Sequence, residues 1–107
     1  MVAHVTFCCP TARFRLGEVV VTLAAVIELE TAAGQSPADF LVRHVNKDWG
    51  DVCAEDAKLN DEAVAHEGDS NRQGRVLSAY RTSTGERLWI ITEWDRSVTT
   101  ILLPEEY

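Results

Sequence analysis

Residues 75–107 read RVLSAYRTSTGERLWIITEWDRSVTTILLPEEY, and this ending decides the fold. From Arg75 to Thr82, Leu77 and Ala79 alternate with Ser78 and Tyr80, a period of two that predicts a strand with one apolar and one polar face. Ser83-Thr84-Gly85-Glu86 supplies turn residues. Leu88 to Thr92 is apolar on both faces, the pattern of a strand in the middle of a sheet. Glu93, Asp95 and Arg96 interrupt the apolar run, and Val98 to Leu103 resumes it until Pro104 closes the strand. A three-stranded meander follows. Its charged corner is either a well-made hairpin turn or the rim of a site.

Upstream, Asp69 to Gly74 is a polar loop, and Ala54 to His66 predicts a helix that stops at Gly68. Its apolar stripe is weak, made of Ala57, Leu59, Ala63 and Val64 with Asp56 and Asn60 at the border. Ser36-Pro37-Ala38-Asp39 is a sharper signal: a serine cap, a proline where no amide hydrogen is needed, and an acid facing the helix dipole. The helix it starts runs to about Lys47 and buries Phe40, Leu41, His44 and Val45. Thr22 caps an earlier helix with Leu23, Val26, Ile27 and Glu30 in one stripe and Gly34 as the stop. Leu16 to Val21, with three consecutive valines, is a strand that joins the sheet. Val2 to Phe7 can add an edge strand, and residues 1–15 otherwise form a poorly patterned N-terminal arm on a core of residues 16–107. The order β-α-α-α-β-β-β in a single domain, 1–107, predicts an α+β fold with the helices packed on one face of a small antiparallel sheet.

Composition fits an ordinary globular chain, with 46% hydrophobic and 25% charged residues. No stretch approaches the roughly 20 apolar residues that span a bilayer. The first fifteen residues lack the pattern of a secretory signal, so a cytoplasmic protein without a membrane partner is expected. Cys8, Cys9 and Cys53 make neither an even disulfide framework nor a Cys-x-x-Cys pair, and their spacing with His4, His44 and His66 suggests no metal site. Reduced thiols, no metal and no cofactor are expected.

The net charge is −7, and it is unevenly spread. Asp48, Asp51, Glu55, Asp56, Asp61, Glu62, Glu67 and Asp69 share one segment with only Lys47 and Lys58 as bases. Such a surface repels phosphate backbones, which argues against direct nucleic-acid binding, and it attracts a basic protein groove. The plainer role of an acidic helix is solubility.

Several side chains carry potential chemistry. His44, on an inner helix face, is either a general base or a core histidine held by hydrogen bonds. Glu93, Asp95 and Arg96 are either an acid/base pair with an anion clamp, or a turn in which Asp95 accepts backbone hydrogens and Arg96 pairs with Glu93, Glu105 or Glu106. Trp49, between Asp48 and Gly50, offers a ring for stacking or plugs a gap between helices.

The segment GQSPADFLVRHVNKDWGD, residues 34–51, taken with the 75–107 ending, resembles a set of small plasmid-, phage- and island-borne bacterial proteins. Their labels are plasmid-related protein or type I restriction methylase subunit. The resemblance covers about Leu16 to Tyr107 through SPxxFLxRHVxxDWGD, the helix with Asn60, RxLSAY and ITExDRSxTTILLPEEY. This chain has no glycine-rich cofactor loop and no Asn-Pro-Pro-Tyr-like motif to match the methylase label, and its 68–74 loop is longer than the family pattern. The resemblance implies a mobile-element origin, and this origin, the small size, the absence of an enzyme motif and the acidic helix together favour an accessory protein that binds and inhibits a host protein. An anti-CRISPR or antirestriction factor acting on a nucleic-acid-binding defence complex fits that description. Its binding residues would be Asp48, Trp49, Asp51, Asp56, Asp61 and Glu62. The alternatives are a small nuclease or nucleotide-processing hydrolase using His44, Glu93 and Arg96, and a structural or regulatory module. The oligomeric state stays open.

Overall fold

In the computed structural model, which describes residues 2–107, the chain runs through β1 (Val2–Val5), β2 (Glu18–Thr22) and α1 (Leu23–Val26), whose helix continues in a wider π winding over Ile27–Ala33. Then come α2 (Pro37–Val45), α3 (Ala54–Ala65), β3 (Val76–Arg81), β4 (Arg87–Thr92), β5 (Val98–Leu102) and a short 3-10 turn at Pro104–Glu106. The α+β architecture is the expected one, and the edge strand anticipated near the N-terminus forms as β1. Among the described residues no helix is long and apolar enough to cross a membrane.

The five strands lie in the order β1-β2-β5-β4-β3. The meander pairs β3 with β4 and β4 with β5 in antiparallel fashion, whereas β2 lies parallel to β5. The sheet is therefore mostly antiparallel, and its central strand is β5 rather than β4. Val19, Val21, Tyr80, Leu88, Ile90 and Ile101 share one sheet face and pack with Ala25 and Leu29 of the first helix and Phe40 and Leu41 of α2.

The alternation in β3 is shifted from expectation. Val76, Ser78 and Tyr80 point to the helices, because Ser78 pairs with Ile90 and Tyr80 with Leu88 on the covered face. A serine is accepted there because its hydroxyl finds a buried partner on α2. Helix α2 itself buries the predicted Phe40, Leu41, His44 and Val45, and the Ser36 amide donates to Asp39 Oδ2 at its start. The first helix turns a different stripe inward: Ala25 and Leu29 are fully buried, while Leu23 and Ile27 are about half exposed. The small Ala25 side chain leaves room for the helix to lie close on the sheet.

In α3 the buried residues are Asn60 and Ala63, and Leu59 is 58% exposed. Asn60 works on the outer edge of β3, where its Nδ2 donates to the Leu77 carbonyl (2.7 Å) and its Oδ1 accepts from the Leu77 amide (3.0 Å). Two residues further along that edge, the Ala79 amide donates to the Trp49 carbonyl and the Asp51 amide donates to the Ala79 carbonyl. These contacts close an edge that would otherwise be open to strand pairing. Gly50 makes this approach possible: its φ is +71°, and a Cβ there would overlap the Ala79 carbonyl oxygen.

The N-terminal arm is part of the structure. Phe14 is buried against Trp49, Ala63 and Val76, and the Arg13 amide donates to the Val45 carbonyl. At the other terminus the Tyr107 ring meets Trp89 edge-on, and Arg75 Nη1 donates to its hydroxyl.

Candidate functional site

His44 sits at the centre of a chain of polar side chains beneath the sheet. Its Nδ1 lies 2.5 Å from Ser78 Oγ and its Nε2 lies 2.9 Å from Thr92 Oγ1; Thr92 in turn contacts Thr99 Oγ1 at 2.8 Å, and Thr99 donates to the Leu16 carbonyl. The last link orients the rest, since a carbonyl only accepts. Thr99 spends its proton on Leu16 and so accepts from Thr92, and Thr92 accepts from a protonated Nε2. Nδ1 is left to accept the Ser78 hydroxyl. Each hydroxyl in the run is used once as donor, and the imidazole is neutral. Burial, helped by the positive charge of Arg96, pushes the His44 pKa from 6.5 down to about 3. Phe14 and Trp49 press edge-on against the ring, with centroids at 5.2 and 5.9 Å. With no exposed surface and both nitrogens engaged, His44 has no route to a substrate proton.

The charged corner between β4 and β5 is held internally. Asp95 Oδ1 accepts the Ser97 amide, and the bonds from Ser97 hold its carboxyl below the usual range. Arg96 adopts a left-handed backbone (φ +60°) and turns its guanidinium inward, where the side chain is 4% exposed. Nε pairs with Glu67 Oε1 at 2.8 Å, and Nη1 donates to the carbonyls of Gly74 and Glu93. The expected partners, Glu93 or the C-terminal acids, are thus replaced by Glu67, just past the end of α3. Glu93 contributes only its backbone carbonyl to that contact. Arg96 ties the hairpin corner to the loop before β3, with the Phe14 ring 5.7 Å below its guanidinium carbon.

Four of the six expected binding residues are also engaged within the chain. Asp48 pairs with Arg43 at 2.7 Å, which lowers its pKa, and its backbone carbonyl accepts the Tyr80 hydroxyl. Trp49 is buried and donates its indole hydrogen to Asp61 Oδ1, so it plugs the gap between helices instead of offering a ring. Asp51 faces Arg81 at 3.7 Å and Asp61 faces Lys47 at 3.6 Å. Together with Glu67 on Arg96 and Asp69 on Arg72, five of the eight acids in the 48–69 segment have a cationic partner. Glu55, Asp56 and Glu62, all on α3, stand outside every ion pair among the described residues.

Asp56 and Glu62 also border a groove of about 300 Å³ between α3 and residues 72–77, floored by Leu59, Ala63 and Leu77. A larger, shallower hollow under the N-terminal arm is lined by Phe7, Cys9, Arg13 and Phe14. The three cysteines are unpaired, with Cys8 and Cys53 exposed; hydrogen bonding to Thr11 lowers the Cys9 pKa. Among the described residues no three His, Cys, Asp or Glu side chains are grouped to hold a metal ion. Sequence reasoning placed His44 on an inner face but missed the hydroxyls that hold it, the Glu67 partner of Arg96, and the exposure of Leu59. No local signal marks these, because each depends on residues far apart in the chain. Compared with known proteins, the chain matches no family model, no curated protein and no solved structure.

Proposed function

We propose that this protein is a binding protein that occupies a basic surface of another protein through the outer face of α3. One observation carries this proposal: among the described residues Glu55, Asp56 and Glu62 stand outside every ion pair, while His44, Asp95 and the Nε and Nη1 of Arg96 are held by internal contacts. Carboxylates left unneutralised on one helix raise the encounter rate with a cationic partner and repel phosphate backbones. The resemblance to mobile-element proteins supports a host protein as that partner, and an anti-defence role, as an anti-CRISPR or antirestriction factor, as the outcome of binding.

The test is affinity capture from a bacterial lysate with the wild-type chain and with E55K/D56K/E62K. A protein retained by the wild type and lost by the triple variant is expected, with release as salt is raised. Retention of the same protein by both chains would remove α3 from the interface.

A further inference from the structure

We propose that the groove between α3 and residues 72–77 is the anchor point of that interface, and that it receives a polypeptide segment carrying a bulky apolar side chain next to a lysine or arginine. The inference rests on the binding role proposed above and assigns the chemistry of the partner.

The floor of the groove is apolar, and its most exposed member is Leu59, which faces the groove because Asn60 beside it turns in to the edge of β3. Leu59 is 58% exposed, although Ala57, Ala63 and Val64 of the same helix pack inward. A leucine lying open in a concave groove gains by being covered, whereas one on a convex helix face is incidental. Leu77 extends the floor from β3, and Asn60 at its back is buried, with both its Oδ1 and its Nδ2 bonded to the Leu77 backbone.

Charge gives the groove a direction. Asp56 and Glu62 line the α3 bank without a cationic partner among the described residues, while Arg72 and Arg75 line the opposite bank. Arg72 faces Asp69 at 3.7 Å, and Arg75 holds the Tyr107 hydroxyl. A cation therefore belongs against α3, one helical turn on either side of an apolar anchor over Leu59. A nucleic-acid backbone would be repelled by Asp56 and Glu62 on the α3 bank and drawn to Arg72 and Arg75 on the other, which is why an oligonucleotide belongs in the test. A polypeptide with alternating apolar and basic positions satisfies both the floor and the bank.

The experiment is a ¹⁵N–¹H NMR titration of the full chain with a 14-residue helical peptide of leucine and lysine at amphipathic spacing. A lysine–glutamine peptide of equal charge and a single-stranded oligonucleotide serve as comparisons. The leucine–lysine peptide is expected to shift the amides of residues 56–63 and 72–77. Leu59→Ser and Asp56→Asn/Glu62→Gln should each weaken binding about tenfold, with unchanged thermal unfolding showing that the variants are folded. Equal binding by the lysine–glutamine peptide would overturn the groove and leave the acidic face standing. A flat response of α3 to both peptides would overturn both, and shifts produced by the oligonucleotide at the groove would overturn the polypeptide assignment.

Discussion

Acid should unfold this protein through His44 before it does so through the carboxylates. The unfolded chain takes up a proton at this side chain near 6.5, whereas the folded chain resists until about 3. A depressed histidine pKa means that the stabilisation is complete above 6.5 and is lost as pH falls through 6.5 toward 3, because the unfolded state binds more protons in that window. Linkage puts the loss at about 0.8 kcal/mol at pH 6 and about 2 kcal/mol at pH 5. Asp48 and Asp95, whose pKa values are lowered from 3.8, add their own loss only as pH falls below 3.8. His44→Gln removes the titration and keeps one acceptor for Ser78 and one donor for Thr92. Urea unfolding followed by tryptophan fluorescence at pH 5, 6, 7 and 8 should give a wild-type curve that falls by about 2 kcal/mol and a variant curve that is flat by comparison. Parallel curves, whatever their offset, would refute the assignment of His44 as a neutral member of the hydroxyl chain.

Three further outcomes follow from the packing. Asn60→Ala strips both the amide and the carbonyl of Leu77 of their partners and should cost about 2 kcal/mol in urea unfolding, with faster self-association through the exposed edge of β3 seen by light scattering. Arg96→Met leaves Glu67 without its cation and should cost about 3 kcal/mol by the same assay. Adding Glu67→Ala should recover part of that loss, since the two side chains form one interaction. Gly50→Ala places a Cβ against the Ala79 carbonyl and should lower the thermal midpoint by more than Gly85→Ala, where nothing lies within 4 Å although φ is likewise positive.

The parts of this structure written in short-range signals were legible. The Ser36-Pro37 start of α2, its inward stripe and the turn at Ser83-Thr84-Gly85-Glu86 depend on neighbours within a few residues, and they form as expected. What local pattern could not reveal depends on distant partners. Period-two alternation assigns Ser78 to solvent, yet a buried serine is tolerated once His44, 34 residues away, accepts its proton. Arg96 looked for acids nearby and found Glu67, 29 residues upstream. The parallel join of β2 to β5 and the burial of Phe14 likewise bring together residues far apart in the chain. On α3, Leu59 counts as apolar in any periodicity and Asn60 as polar, but the adjacent sheet edge needs an amide, so the asparagine turns in and the leucine out.

The proposed interface sets partners against α3 and not against the charged hairpin corner. Its most direct test is the dissociation constant for the captured partner, measured by calorimetry with E55K/D56K/E62K and with E93Q/D95N. The first variant should bind at least about tenfold more weakly and the second like the wild type. The opposite ranking would contradict it and return attention to the corner.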